Sequence, residues 1–317
     1  MGVRLPLISN AADFAAHFGD DIWQQVAAEI CLRHNLRYTE LRRPPPSEHI
    51  IFFVDSRFVI KIYAPFRRGF ERELAALQFA RGKMSIAAPE VLQVGEFENF
   101  KYLVMTAMTG VASREVWEKI ELRDKFAVIS RLSTAMRELN SHYAPAELKN
   151  CTENWQQFVC RQAEESVERQ RACGANPECL ESLPAFLAER LKLLPGDEQT
   201  TFLHGDIHAG NLLLVPANDG WQISGLIDFA DSRTGFHEYE LLAPGVLMTQ
   251  GNRELQREML SAYGYKAADL DENLRARLML LLVLYECSNL RKYALRLAPE
   301  AIDFTLVQLE EAIWAFC

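Results

Sequence analysis

The chain has 317 residues, 49% of them apolar, which is enough for two lobes with separate cores and excludes a disordered protein. Its net charge of −9 argues against nucleic acid or an anionic membrane as partner. That charge suits a cationic small molecule, and equally plain solubility. Seven cysteines, an odd number without a CxxC pair, point to reduced structural thiols rather than a disulfide framework.

No basic start leads into a long apolar run, and the most apolar stretch, residues 278–285, is too short to span a bilayer. A cytoplasmic protein is expected. Residues 11–35 read as one or two helices, with Phe14, Phe18, Ile22, Val26 and Ile30 at helical spacing. The segment RRPPPSEH then breaks regular structure.

IIFFVD and RFVIKIY read as two strands of a hairpin turning at Asp55-Ser56. In the second, Phe58, Ile60 and Ile62 share one face, and Val59, Lys61 and Tyr63 the other. Lys61 is thus a lone cation in an apolar strand, either an edge lysine with its head in water or a functional charge. A helix follows, FRRGFERELAALQFA. Its buried face is set by Phe70, Leu74 and Leu77, and Glu73 lies beside them while Glu71 points away. APEVLQVGEF and KYLVMTAMTG read as further strands, with a turn over residues 95–99. From Ser113 the chain is nearly all helix, over roughly 113–141, 152–172 and 180–194. Near the end, 270–297 and 301–316 read as two more helices, the first interrupted in its apolar character by Glu286 and Asn289.

Between these helical regions lies TFLHGDIHAGNLLLVPANDGWQISGLIDFAD. Two apolar runs flank Asn218, Asp219 and Gly220, a composition suited to a hairpin tip where φ > 0 is needed. Folding the segment about that tip sets Asn211 opposite Asp228 and holds Asp206 nearby. Three oxygen-bearing side chains converging there suit a hard cation such as Mg²⁺. The spacing also fits phosphoryl transfer: one Asp orients the attacking hydroxyl, while a later Asn and Asp hold metal. His204 and His208 have an i, i+4 spacing that could suggest zinc, but Gly205 and Gly210 argue against the helix it needs.

HGDIHAGN followed by IDFAD resembles the aminoglycoside phosphotransferase family, small-molecule kinases distantly similar in fold to protein kinases. The resemblance is strong over 201–241 and fair over 50–110. It implies that Asp206 is the catalytic aspartate, that Asn211 and Asp228 are the metal ligands, and that Lys61, held by Glu73, binds phosphate. It further implies that His204 props the catalytic loop and that Glu240 braces it. The interlobe hinge falls at Met105–Met108, where backbone groups of residues such as Met105 and Ala107 would bind the base of ATP or GTP. The glycine loop GxGxxG of protein kinases is missing, and Ser47 takes the position of a small polar residue that touches phosphate.

The expected fold is therefore α+β and kinase-like. A small lobe of antiparallel strands with a helix (residues 1–107) precedes a larger, mainly helical catalytic and acceptor-binding lobe (108–317). The expected reaction is Mg²⁺-dependent transfer of a γ-phosphoryl group to a hydroxyl of a small molecule. By resemblance the acceptor is an aminoglycoside, with antibiotic resistance as the consequence. Acids at Asp231, Glu238 and Glu240 suggest a negative cleft that attracts cations. The alternatives are a kinase of choline, homoserine or a sugar, and a nucleotide-binding pseudokinase scaffold. In the helical region, Trp155 and Glu165 are either acceptor contacts or parts of a packed stack. The sequence does not fix an oligomeric state.

Overall fold

The computed structural model describes residues 5–45 and 48–317. At the N-terminal end, α1 (Ala11–His17) is capped by Asn10, whose side chain accepts from the Asp13 amide. α2 (Ile22–Arg33) buries Trp23, Val26 and Ile30. A five-stranded antiparallel sheet follows, built from β1 (Leu41–Arg42), β2 (Ile50–Val54), β3 (Phe58–Ile62), β4 (Val91–Phe97) and β5 (Phe100–Thr106) in the order β1-β2-β3-β5-β4. The helix α3 (Gly69–Ala80) crosses between β3 and β4. The β2–β3 hairpin turns on Asp55 and Ser56, at φ of 50° and 53°, the left-handed pair that a two-residue turn of this twist requires.

Strand alternation sorts the small lobe into two layers. Phe52, Ile60, Ile62 and Val104 pack with Trp23 and Ile30 of α2 in a core of their own. The opposite face carries Val59, Lys61, Tyr63, Leu103 and Met105, and turns toward α3 and the large lobe. The turn expected over 95–99 is tighter than the composition suggests. β4 continues to Phe97, and Gly95 sits inside it because a Cβ there would lie 2.3 Å from the Tyr102 hydroxyl.

The large lobe begins with β6 (Val111–Ala112) and α4 (Ser113–Val116), then α5 (Leu122–Asn140), α6 (Ala146–Cys151), α7 (Trp155–Ala172) and α8 (Pro177–Arg190). β7 (Thr201–Leu203), β8 (Leu212–Ala217), β9 (Gly220–Leu226) and β10 (Arg233–Gly235) follow, and α9 (Arg253–Tyr263), α10 (Glu272–Leu284), α11 (Leu290–Leu297) and α12 (Leu306–Ile313) complete the chain. β7 pairs with β10, and β8 lies between β6 and β9. Two long helices expected from periodicity are each divided. The first breaks between α4 and α5. The second breaks at residues 285–289, where the Asn289 side chain caps α11 by accepting from the Lys292 amide. No described helix is long and apolar enough to cross a membrane.

Candidate active site

The β8–β9 hairpin folds about residues 218–219 as its composition requires, but not in the simple mirror register. The tip pairs Ala217 with Gly220, a register that by itself would set Asn211 against Leu226; a bulge at Ser224, opposite the Leu213–Leu214 step, moves it on by one residue, so Leu212 pairs with Leu226 and the Ile227 amide donates to the Asn211 carbonyl at 2.9 Å. Asn211 therefore faces Ile227 rather than Asp228. Asp228, one step further on, adopts a left-handed φ of 65°, a conformation a non-glycine residue keeps only when its surroundings enforce it.

Lys61 reaches the same point from β3. Its ammonium, only 4% exposed, donates to Glu73 Oε2 at 2.6 Å and to Asp228 Oδ1 at 2.7 Å. Glu73 is on the buried side of α3, whereas Glu71 pairs outward with Lys101. Tyr63, two residues along the same strand face as Lys61, donates its hydroxyl to Glu73 Oε2 at 2.6 Å. One ammonium is thus shared by two carboxylates. Burial alone would lower the Lys61 pKa, but Glu73 and Asp228 outweigh it and the amine stays charged. Burial alone would raise Asp228; the Lys61 ammonium pulls it down to about 2.

Asp206 sits in the loop between β7 and β8. The Asn211 side-chain amide donates to the Asp206 carbonyl at 3.0 Å and to its Oδ2 at 2.8 Å. That arrangement leaves Asn211 Oδ1 as the oxygen available to a cation. Burial first, then the charges of Asp231 and Asp228, push the Asp206 carboxyl up to about 7. His208 Nε2 lies 3.4 Å from Asp206 Oδ2, while its Nδ1 accepts from the Gly210 amide.

The loop is held from below. Glu240, fully buried, accepts from the amides of His204 at 2.6 Å and Gly205 at 3.0 Å. Asn140 of α5 stands beside it, donating to the Phe202 carbonyl, and Tyr263 of α9 donates to Asn140 at 2.8 Å. The His204 ring, also buried, accepts from the Asp206 amide at Nδ1 and donates from Nε2 to the Ile227 carbonyl, tying the loop to β9. Burial keeps that ring neutral, its pKa down to about 4. Gly205, at φ 84°, passes so near the Asp231 carbonyl that a Cβ would lie 2.4 Å from it.

A cleft of about 440 Å³ opens between the sheet and the hairpin, lined by Val59, Met105, Leu213 and Ile227 together with Lys61, Glu73 and Asp228. Met105 and Ala107 both border it. The Ala107 amide already donates to the Arg57 carbonyl at 2.9 Å, so only its carbonyl is left for a base, and among the described residues no acceptor takes the Met108 amide. Ser47 lies outside the described residues. Trp155 is core, packed on Phe158 and Tyr239. Glu238 and Glu240, expected in a negative cleft, are buried; Glu238 is bound by Arg277 and Tyr265, Glu240 by the loop amides. The clustered cysteines form no metal-binding group among the described residues. Asn140 and Tyr263 gave no sequence signal, since their partners lie in other elements; Glu286 did, as a polar break in an apolar run, and the partners such a group needs are Arg161 and Arg233.

The sequence profile of the phosphotransferase enzyme family (APH) matches residues 47–280, well over half the chain. The chain belongs to that family. Its activity class is accordingly phosphoryl transfer to a hydroxyl of a small molecule. Solved structures agree on the kinase-like fold. The GDP complex of wild-type aminoglycoside 2'-phosphotransferase-IIIa superposes with a TM-score of 0.66 at 15% identity, covering 92% of this chain and 98% of that one. The streptomycin–ATP–APH(2")-IIa ternary complex gives 0.58 at 17% identity, covering 90% and 97%. APH(3'')-Id from Streptomyces rimosus, in complex with ADP and streptomycin, gives 0.54 at 19% identity, covering 83% and 98%. At such identities the likeness between these phosphotransferases and this one is one of fold.

Proposed function

We propose that this phosphotransferase moves the γ-phosphoryl group of ATP or GTP, with Mg²⁺, onto a small-molecule hydroxyl. The nucleotide would lie between lobes dividing near Ala107. The observation that carries the reading is the convergence of Lys61, Glu73 and Asp228 within 2.7 Å contacts, in the lining of an apolar cleft and beside the Asp206–Asn211 pair. Apolar walls suit a purine, and a buried cation in the same lining suits its phosphates.

In this reading Asp206 orients the acceptor hydroxyl. The hydroxyl oxygen attacks the γ-phosphorus, the bond from that phosphorus to the β–γ bridging oxygen breaks, and the hydroxyl proton passes to the Asp206 carboxylate. Lys61, fixed by Glu73, holds phosphate oxygens. Asn211 Oδ1 and the Asp228 carboxylate form a hard oxygen set of the kind Mg²⁺ prefers. When bound, the ion would neutralise phosphate charge that builds during transfer. His204 and Glu240 fix the loop without touching substrate.

The test is transfer of label from γ-labelled ATP and GTP to a panel of hydroxyl compounds, with Mg²⁺ and with chelator. Label should move only with Mg²⁺, and Asp206→Ala should stop it while nucleotide affinity stays near wild type. Undiminished transfer by Asp206→Ala would refute the assignment.

A further inference from the structure

The two histidines of HGDIHAGN are held alike but used differently. Each ring accepts at Nδ1 from the amide two residues on, His204 from Asp206 at 3.3 Å and His208 from Gly210 at 2.8 Å. A ring nitrogen that accepts carries no hydrogen, so the proton of each neutral imidazole sits on Nε2. His204 is buried and spends that N–H on the Ile227 carbonyl at 3.2 Å. His208 is 34% exposed, and its Nε2–H faces Asp206 Oδ2 at 3.4 Å. That is too long for a good hydrogen bond, and the same oxygen already takes the Asn211 amide at 2.8 Å. His208 thus offers an unspent donor at the edge of the carboxylate beside which the hydroxyl would react.

Gly210 is what lets the ring lie there. A Cβ on it would come 2.6 Å from His208 Cε1 and 3.4 Å from Arg114 Nη1, so ring and guanidinium border the same point. The Arg114 amide donates to the Ala209 carbonyl at 2.9 Å, which ties α4 to this loop. Arg72 pairs with Asp231 and Arg233 with Glu286, whereas among the described residues no carboxylate pairs with Arg114.

Transfer would carry a negative phosphoryl group from the Lys61 side toward Asp206, a carboxylate that repels it. Lys61 is held on the nucleotide side by Glu73 and cannot follow. Charge on the moving oxygens then needs donors already in place on the acceptor side. A fixed N–H and an unpaired guanidinium are donors of that kind.

We propose that His208 Nε2–H and the Arg114 guanidinium bind the oxygens of the phosphoryl group as it reaches the acceptor, which makes both of them catalytic residues. The bonds made and broken are those of the transfer itself; neither side chain gives up a proton or forms a bond. The inference rests on the phosphotransferase reading of the site, and its test separates the two.

That test is Mg-dependent turnover of ATP by the full chain, read as phosphate released to water and as label passed to the hydroxyl panel, beside calorimetric binding of Mg·ADP. His208→Ala should lower kcat by about 10²-fold, the size of one lost transition-state donor, with the KM for ATP and the Kd for ADP nearly unchanged. His208→Gln keeps an N–H near the Nε2 position and should recover part of that loss. Gly210→Ala displaces the ring and should imitate His208→Ala. Arg114→Gln should lower kcat by less, because its exposed charge is screened by water and salt. Wild-type kcat in either His208→Ala or Arg114→Gln overturns the proposal. So does a rise confined to the KM of an acceptor, or a loss of ADP affinity as large as the loss of turnover. If the wild type itself turns over no ATP with Mg²⁺, the phosphotransferase reading fails instead.

Discussion

Glu73 and Glu240 are both carboxylates buried beside the candidate site, one in each lobe, and they are held in opposite ways. Glu73 accepts from an ammonium, Lys61, and from the Tyr63 hydroxyl. Glu240 accepts from two backbone amides, with the Asn140 side chain nearby at 3.4 Å. A buried charge set against a mobile side chain can be redistributed, and Lys61 is in fact shared with Asp228. A buried acid bound to the backbone fixes the chain itself. The first is suited to binding a charged ligand, the second to keeping a loop in shape.

That contrast can be broken most directly at the two aspartates each element serves. Asp228→Ala should abolish turnover and weaken Mg·ATP binding, because it removes a proposed metal ligand and leaves Lys61 with a single partner. Asp206→Ala should lower kcat by about 10²–10⁴-fold, the usual size of a lost proton acceptor, with nucleotide affinity little changed. Equal losses of nucleotide affinity in both variants would erase the proposed division of labour.

Glu240→Ala comes next and tests the brace. Two buried amides lose their acceptor, at about 1–3 kcal/mol for each group left unpaired, so the melting temperature should fall by several degrees and kcat with it. Burial pushes the Glu240 carboxyl up to about 7 from its ordinary value of 4.5, against the pull of the Gly205 and His204 amides. The folded chain then holds a proton that the unfolded chain releases, so this contribution is full below pH 4.5 and is lost as pH rises through 7. Glu240→Gln should flatten that part of a plot of melting temperature against pH.

Glu73→Gln should act on ligand more than on fold, raising the KM for nucleotide while lowering the melting temperature less than Glu240→Ala does. If it instead destabilises as strongly and leaves KM alone, Glu73 is a brace too. The smallest effect is expected from Tyr63→Phe, which removes one hydrogen bond to a charged acceptor and changes no volume. A loss of about 1.4 kcal/mol in positioning would appear as a roughly tenfold rise in nucleotide KM with kcat nearly constant.

What the sequence by itself determined is what depends on near neighbours along the chain. Period-2 alternation placed Lys61 and Tyr63 on one face of β3, and helical spacing turned Glu73 inward and Glu71 outward. The Asn218-Asp219-Gly220 tip fixed the β8–β9 hairpin, and HGDIHAGN with IDFAD carried the family. Even there the pairing came out one place off: the strands turn at Asn218 and Asp219 and Ser224 bulges beside Gly225, so Asn211 faces Ile227 and not Asp228.

Only the tertiary structure decided which charges remain free. Composition counts Glu238, Glu240 and Glu286 as equal negative charges, yet Arg277 neutralises the first, the Asp206 loop encloses the second, and Arg161 and Arg233 clamp the third. Their partners stand 35 to 125 residues away. The field at the site falls off with distance through space, which the packing of elements sets and sequence separation does not, so a net charge of −9 does not say which carboxylates near Asp206 are paired.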